Sequence, residues 1–360
     1  MKLISKLPSW INWGLAFPLV VLNGWLLLLV FQYFKSLITI FIIANLLAFI
    51  LNYGVELLAS KHLKRSRAVL IVVFCAILVL SVLGITLAPV IIQQLNELAT
   101  RLPSWIQSGI QQLQVFQDWA ATKNLPLNLS DLAIKLTERL SGQLQSLTGQ
   151  VLNILLGTVG SVFDLILTLV LTFYLLLHGE ELWDGIYQWF PQSQGTVLRQ
   201  LLRQNFQNYY IGQASLAAIV GISMTLAFLL LQAPLGLLFG LAVGFMTLFP
   251  FGLSLSIAIV SLLMALKSFW LGLKVLAVAI LLQQIIENGI APRLLGGFTG
   301  LNPVWILLAL LIGAKVGGLV GVLIAVPVAG FLKSASIVLR ESSDDDLTPE
   351  TEKTVLVSSQ

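Results

Sequence analysis

GLLFGLAVGFMTLFP, residues 236–250, and GAKVGGLVGVLIAVP, residues 313–327, carry one skeleton twice. Gly236, Gly240, Gly244 and Pro250 in the first stretch match Gly313, Gly317, Gly321 and Pro327 in the second. Glycine at every fourth position of an apolar helix leaves a smooth stripe where another backbone can approach closely. The proline six residues on removes a rung of the hydrogen-bond ladder and interrupts the helix. Two interrupted, small-residue helices in corresponding places point to a transporter's substrate path. The competing reading is a pair of packing seams, since glycine and proline are common in membrane helices.

The rest of the chain suits that setting. Of its 360 residues 58% are hydrophobic and only 10% charged, a balance foreign to soluble domains. Apolar runs of about 18 to 29 residues can cross a hydrocarbon core of about 30 Å as helices. Strand alternation is missing, which excludes a barrel. The expected fold class is all-α, a polytopic integral membrane protein. Behind Lys2 and Lys6, the run over residues 13–33 is too long for the apolar part of a signal peptide and reads as the first membrane helix. One cysteine, Cys75, leaves no disulfide framework within the chain. His62 and His178 lack metal-ligand spacing, and the sequence has no Gly-Lys-Ser/Thr phosphate loop. Neither an enzyme nor a metal or cofactor is expected.

Residues 1–92 read as three membrane helices, the first two (13–33 and 37–53) folded into a tight hairpin around Lys35. KHLKRSR, residues 61–67, is a short basic loop of the kind kept in the cytoplasm, and it takes the amino terminus with it. Flanked by apolar helices, it is not read as a nucleic-acid patch. The third run ends near Pro89. Residues 93–150 turn rich in Gln, Asn, Ser and Thr and read as a small external helical region, its apolar residues at helical spacing (Ile106, Ile110 and Leu113, then residues 132–147). Pro103 and the turn NLPLNLSD break it, with Ser130 as a cap. Trp105 and Trp119 are candidate interfacial anchors, while the stripes are expected to pack on each other or on a neighbouring subunit. Residues 151–340 form the expected transport core, with crossings at 151–177 and 211–231 and the two broken segments at 236–266 and 303–332. Whether those two cross or re-enter, the carboxyl terminus ends in the cytoplasm; only the sides of Lys267 and Arg293 differ. The polar tail, 341–360, is expected to be disordered.

An ionisable side chain at the centre of a membrane helix costs about 2.5–3.5 kcal/mol on insertion scales, so each one is a functional candidate. They are Asp164, Glu287, Arg293 and Lys315. Glu287 and Arg293 flank Pro292 in a Gly-containing break where unwound carbonyls can face a polar cavity, and Asn288 adds an amide beside the carboxylate. Lys315 stands between Gly313 and Gly317. These residues are expected to bind a proton, a cation or a polar solute. The alternatives are a structural pair of Glu287 with Arg293, a Lys315 that snorkels to the surface, and an Asp164 held only by Thr or Ser neighbours. Gly236, Gly240, Gly244, Pro250, Gly252, Pro292, Gly313, Gly317, Gly321 and Pro327 are candidate hinges.

FYLLLHGEEL (173–182), YYIGQ (209–213), APLGLLFGLAVGFMTLFPFG (233–252), QQIIENGIAP (283–292) and GGLVGVLIAVPVAGFLK (317–333), in this order, resemble the autoinducer-2 exporter (AI-2E) family of bacterial permeases. The resemblance covers residues 11–339 and is strongest from Phe173 onward. It implies a multi-pass inner-membrane transporter of about eight membrane segments, oligomeric, with some members linked to autoinducer-2 export and others to sodium–proton antiport. Glu287, Asn288, Pro292, Pro250 and Pro327 carry over as motif positions. Arg293 and Lys315 are charges the family pattern does not lead one to expect. The expected function is secondary export of a small polar solute across the lipid bilayer. Cation–proton exchange through Glu287 and a membrane scaffold acting through residues 93–150 are the alternatives.

Overall fold

The computed structural model describes residues 18, 21–27, 29–30, 32–123, 162–187, 192–295 and 302–345. All secondary structure among the described residues is helical. We number the helices α1 (Lys35–Ala59), α2 (Arg65–Thr122), α3 (Val162–Tyr187), α4 (Gln192–Leu230), α5 (Gly236–Met246), α6 (Gly252–Lys267), α7 (Phe269–Ile285), α8 (Ala291–Leu295) and α9 (Pro303–Asp345). A π-helical turn, Ile286–Ile290, joins α7 to α8. Six helical stretches among the described residues are long and apolar enough to cross a membrane, so the chain is a multi-pass membrane protein. Leu26, Leu80, Ile85, Leu230 and Leu281, each at least half exposed, show how much apolar surface the fold turns outward, as lipid solvation allows.

The expected hairpin at Lys35 does not form. The Phe34 N–H donates to the Val30 carbonyl at 3.0 Å and the Phe34 carbonyl accepts from Ile38 at 2.9 Å, so helix continues into α1. Between Phe34 and Ile38 only Lys35 and Ser36 are polar, and without a glycine or proline nothing turns the chain back. Prolines do not stop α2 either: its 58 residues run through Pro89 and Pro103. A proline removes one ladder bond, and the remaining bonds together with packing on both sides hold the helix. Leu102, Trp105 and Ile106 are buried in the main apolar cluster, where α2 packs chiefly on α6 and also on α5. Trp105 is therefore a core residue, whereas Trp119 stays half exposed and stacks on Phe116. The NLPLNLSD turn, Ser130 and the stripe over 132–147 lie outside the described residues, as does most of the tail 341–360.

Two glutamines of α2 fasten the loops of the core. The Gln94 side-chain oxygen accepts from the Leu238 N–H at 2.9 Å, occupying an unsatisfied donor at the start of α5. Gln112 donates to the Leu266 carbonyl at 3.1 Å and accepts from the Phe269 N–H at 2.7 Å, which bridges the α6–α7 turn. At the other end of the bundle lies an ionic face. Arg65 meets Glu180 at 3.0 Å, Arg203 meets Glu56 at 2.6 Å, and Arg199 pairs with Asp184, which ties α1, α2, α3 and α4 together. All six side chains are at least a third exposed, so each pair contributes little on its own.

Candidate functional site

The site is best located along α4, starting from the ionic face at Arg203. From its far end, α5 runs back down α4 in backbone contact. A Cβ on Gly236 would stand 3.2 Å from the Phe228 carbonyl carbon, one on Gly240 would collide with the Thr225 backbone, and one on Gly244 with Gly221. The first glycine stripe is therefore spent on a seam with α4. Small residues on both sides allow this spacing. The chain then breaks at residues 247–251. Gln213 of α4 donates to the Thr247 carbonyl there, Phe251 takes a left-handed conformation (φ 64°), and a Cβ on Gly252 would run into the Met246 carbonyl oxygen. Pro250 lies in this turn. At about 1.5 Å per residue, Gln213 is about 15 Å from Arg203 along α4. The first break thus reaches the middle of α4 from the far end.

The second break reaches the same level from the ionic side. Gly318 leaves helical geometry (φ 59°, ψ −136°) and divides α9 into two arms. The arms close on each other so tightly that a Cβ on Gly313 would strike the Gly321 carbonyl, and one on Gly321 the Gly313 carbonyl. In a straight helix those residues would be about 12 Å apart. The Tyr210 hydroxyl donates to the Leu323 carbonyl at 3.3 Å, and Tyr209 and Tyr210 cluster with Val326, with Ile306 and Leu310 packed alongside. The second arm therefore descends α4 toward the ionic face, with Gly318 above it. Gly317 has open space around its Cα, and Pro327 lies buried inside the second arm. Matched in sequence, Pro250 and Pro327 occupy different places: a turn in one case, a helix interior in the other.

A cavity of about 1220 Å³ opens beside the second break. Its walls are one face of each arm of α9 and the first turns of α1, with Trp305, Ala309, Val320, Ile324, Ile38 and Ile42 giving it an apolar lining. Lys315 lines it, as do Lys35 and Lys333. Glu287, Asn288 and Arg293 do not. Glu287 and Asn288 are exposed in the π-helical turn, a distortion frequent at functional sites. Gln283 donates both to Glu287 and to Ser254 of α6, each at 2.9 Å, and Asn288 donates to the Gln284 side chain at 2.8 Å. This polar line sets Glu287 one helical turn from the first break. Pro292 and Arg293 follow in α8, both exposed. Among the described residues no ion pair joins Glu287 to Arg293 or to Lys315. Asp164 is half-buried in the first turn of α3, and its backbone carbonyl accepts from the Thr168 hydroxyl at 2.7 Å. Among the described residues no cluster of His, Cys, Asp or Glu has the makings of a metal site.

The first break and Lys315 are legible in the sequence; the second break falls at Gly318 and not at Pro327, where the sequence places it, and the wall that α1 supplies is not legible either. Its one signal is Lys35, a lone cation between two apolar runs, and such a residue suggests a turn as readily as a cavity.

Comparison with known proteins agrees with this architecture. Residues 15–341 match the family model described as AI-2E family transporter. The chain is 43% identical over 325 residues to the candidate transport protein sll0060 of Synechocystis sp., covering 90% of this chain and 94% of that one. It is 26% identical to the candidate permease PerM of Escherichia coli K12 (84% and 87% covered) and 24% identical to the AI-2 transport protein TqsA of the same strain (89% and 94%). With this match over nearly its whole length, the chain belongs to the AI-2E family of transporters.

Proposed function

We propose that this protein is a secondary permease of the bacterial inner membrane that exports a small polar solute, with autoinducer-2 as the first candidate given the name of its relative TqsA. One observation carries the reading: breaks in α5–α6 and in α9 approach the same level of α4 from opposite ends, with a solute-sized cavity beside the second. Helices interrupted in mid-membrane are where transporters expose backbone polar groups to solute. On this reading the broken segments are two opposed re-entrant hairpins. The basic loop at 61–67 and the ionic face lie toward the cytoplasm, and the carboxyl terminus lies with them. A second reading, sodium–proton exchange, is favoured by Glu287 in its π-helical turn.

Inverted membrane vesicles separate the two. Labelled autoinducer-2 should accumulate inside vesicles that carry the protein and not in empty ones, and Ala309→Trp, which puts a bulky ring into the cavity wall, should cut the rate at least tenfold. Accumulation equal to that of empty vesicles, together with a sodium-driven proton signal lost in Glu287→Gln, would replace solute export by antiport.

A further inference from the structure

Among the described residues, the cavity between α1 and the arms of α9 is charged in one sense only. Lys35, Lys315 and Lys333 line it, its other polar side chains include Gln32, Thr39, Asn302 and Ser336, and no Asp or Glu is among the lining residues. The ionic face of the same bundle is different, because Arg65, Arg199 and Arg203 each meet a carboxylate. No ion pair of Lys35 or Lys315 occurs among the described residues. Both lysines are exposed along the apolar wall, where an anion entering the cavity can reach them and offset the cost of a charge in the hydrocarbon zone. The remaining lining is mostly Ile, Leu, Val, Ala and Gly, which favours an apolar body over a sugar-like one. The lysines are also spread out. Lys315 is close to the break at Gly318, while Lys333 is about 22 Å farther along the second arm at 1.5 Å per residue.

We propose that the cavity binds amphipathic organic anions, the charged head on Lys315 and Lys35 and the apolar body along the arms of α9. This rests on the permease reading and revises its solute, from a small polar one to an amphipathic anion. Such an anion has two sources, a free carboxylate in solution or the headgroup of an anionic lipid, and the chemistry at the lysines is shared.

The test uses the purified full chain in phosphatidylcholine nanodiscs, with thermal unfolding measured against octanoate, octanol and octylammonium, which share a chain length and differ in charge. Octanoate should raise the midpoint, while octanol and octylammonium should not. Replacing Lys315→Gln and Lys35→Gln together should weaken the octanoate effect by about tenfold or more, the worth of a charge-assisted hydrogen bond. Lys64→Gln, in the basic loop, should leave it intact. Lys315→Glu should transfer the response to octylammonium, a gain that a damaged fold cannot produce. Discs containing phosphatidylglycerol identify the source: lysine-dependent stabilisation that removes the octanoate response makes the ligand a lipid, and an unchanged response makes it a free anion. Equal shifts with octanol, or the same loss in Lys64→Gln as in the cavity variant, would overturn the proposal. Binding is read here without transport. A lysine-dependent octanoate shift in a protein that moves no solute would therefore overturn the permease reading and leave the anion site standing.

Discussion

Gly240 and Gly317 hold matching positions in the two stripes, yet only one of them has a neighbour to hit. A methyl group on Gly240 would enter the Thr225 backbone, which cannot swing aside as a side chain can. Gly240→Ala should therefore lower stability by at least the roughly 1–3 kcal/mol of ordinary overpacking, read as a lower unfolding midpoint or a loss of monodisperse protein in detergent. Gly317→Ala meets nothing within 4 Å and should leave the midpoint unchanged. The reverse order would remove the backbone seam from the account. The four-residue spacing was plain in the sequence, but a spacing names no partner. The partner, Gly221 on α4, shows itself only in the structure. Gly318 could not be singled out among neighbouring glycines, because nothing in the sequence distinguishes the one that takes φ 59°. Lys315 was legible as a charge in an apolar stretch, whereas its cavity needed α1 and both arms of α9 in place.

Helix existence was the easiest property to read at the level of elements, and helix ends were the hardest. Long apolar runs demand helices in lipid, since every backbone polar group must be satisfied within the segment. Ends depend on what the flanking residues pack against, which is why α2 passes Pro89 and Pro103 and why helix passes Phe34. The amphipathic spacing of Ile106 and Ile110 was visible, but amphipathicity alone does not say what covers the apolar side. Because the outer half of α2 packs on the core, Gln112 reaches the α6–α7 turn. Its amide satisfies both strands of that turn, so Gln112→Ala would strip bonds from Leu266 and Phe269 at once. The expected cost is about 0.5–1.5 kcal/mol, the net worth of a hydrogen bond whose partners water can partly reach. Hydrogen exchange should show it as faster exchange of the Phe269 amide, with α1 and α3 unaffected. Uniform loosening throughout the bundle would instead make Gln112 one packing residue among many.

For the whole molecule, the composition declared a polytopic membrane protein and the doubled Gly/Pro skeleton pointed to the segments that interrupt it. The sequence left open whether those segments cross or turn back, since about 30 apolar residues with a break satisfy either. Three-dimensional contacts favour turning back. Only 11 residues separate the far-end turn of α5 from its break, about 16 Å of rise against about 30 Å of hydrocarbon, and α9 doubles over at Gly318. The account of solute movement depends on this pair of opposed hairpins, and labelling of single cysteines in intact cells tests it most directly. With Cys75 replaced by serine, cysteines at Lys64, Lys267 and Arg293 would be challenged with a membrane-impermeant maleimide. The account predicts labelling from outside at Lys267, with Lys64 and Arg293 reached only after the cells are opened. Labelling of Arg293 from outside with Lys267 protected would mean that both segments cross, and would contradict it.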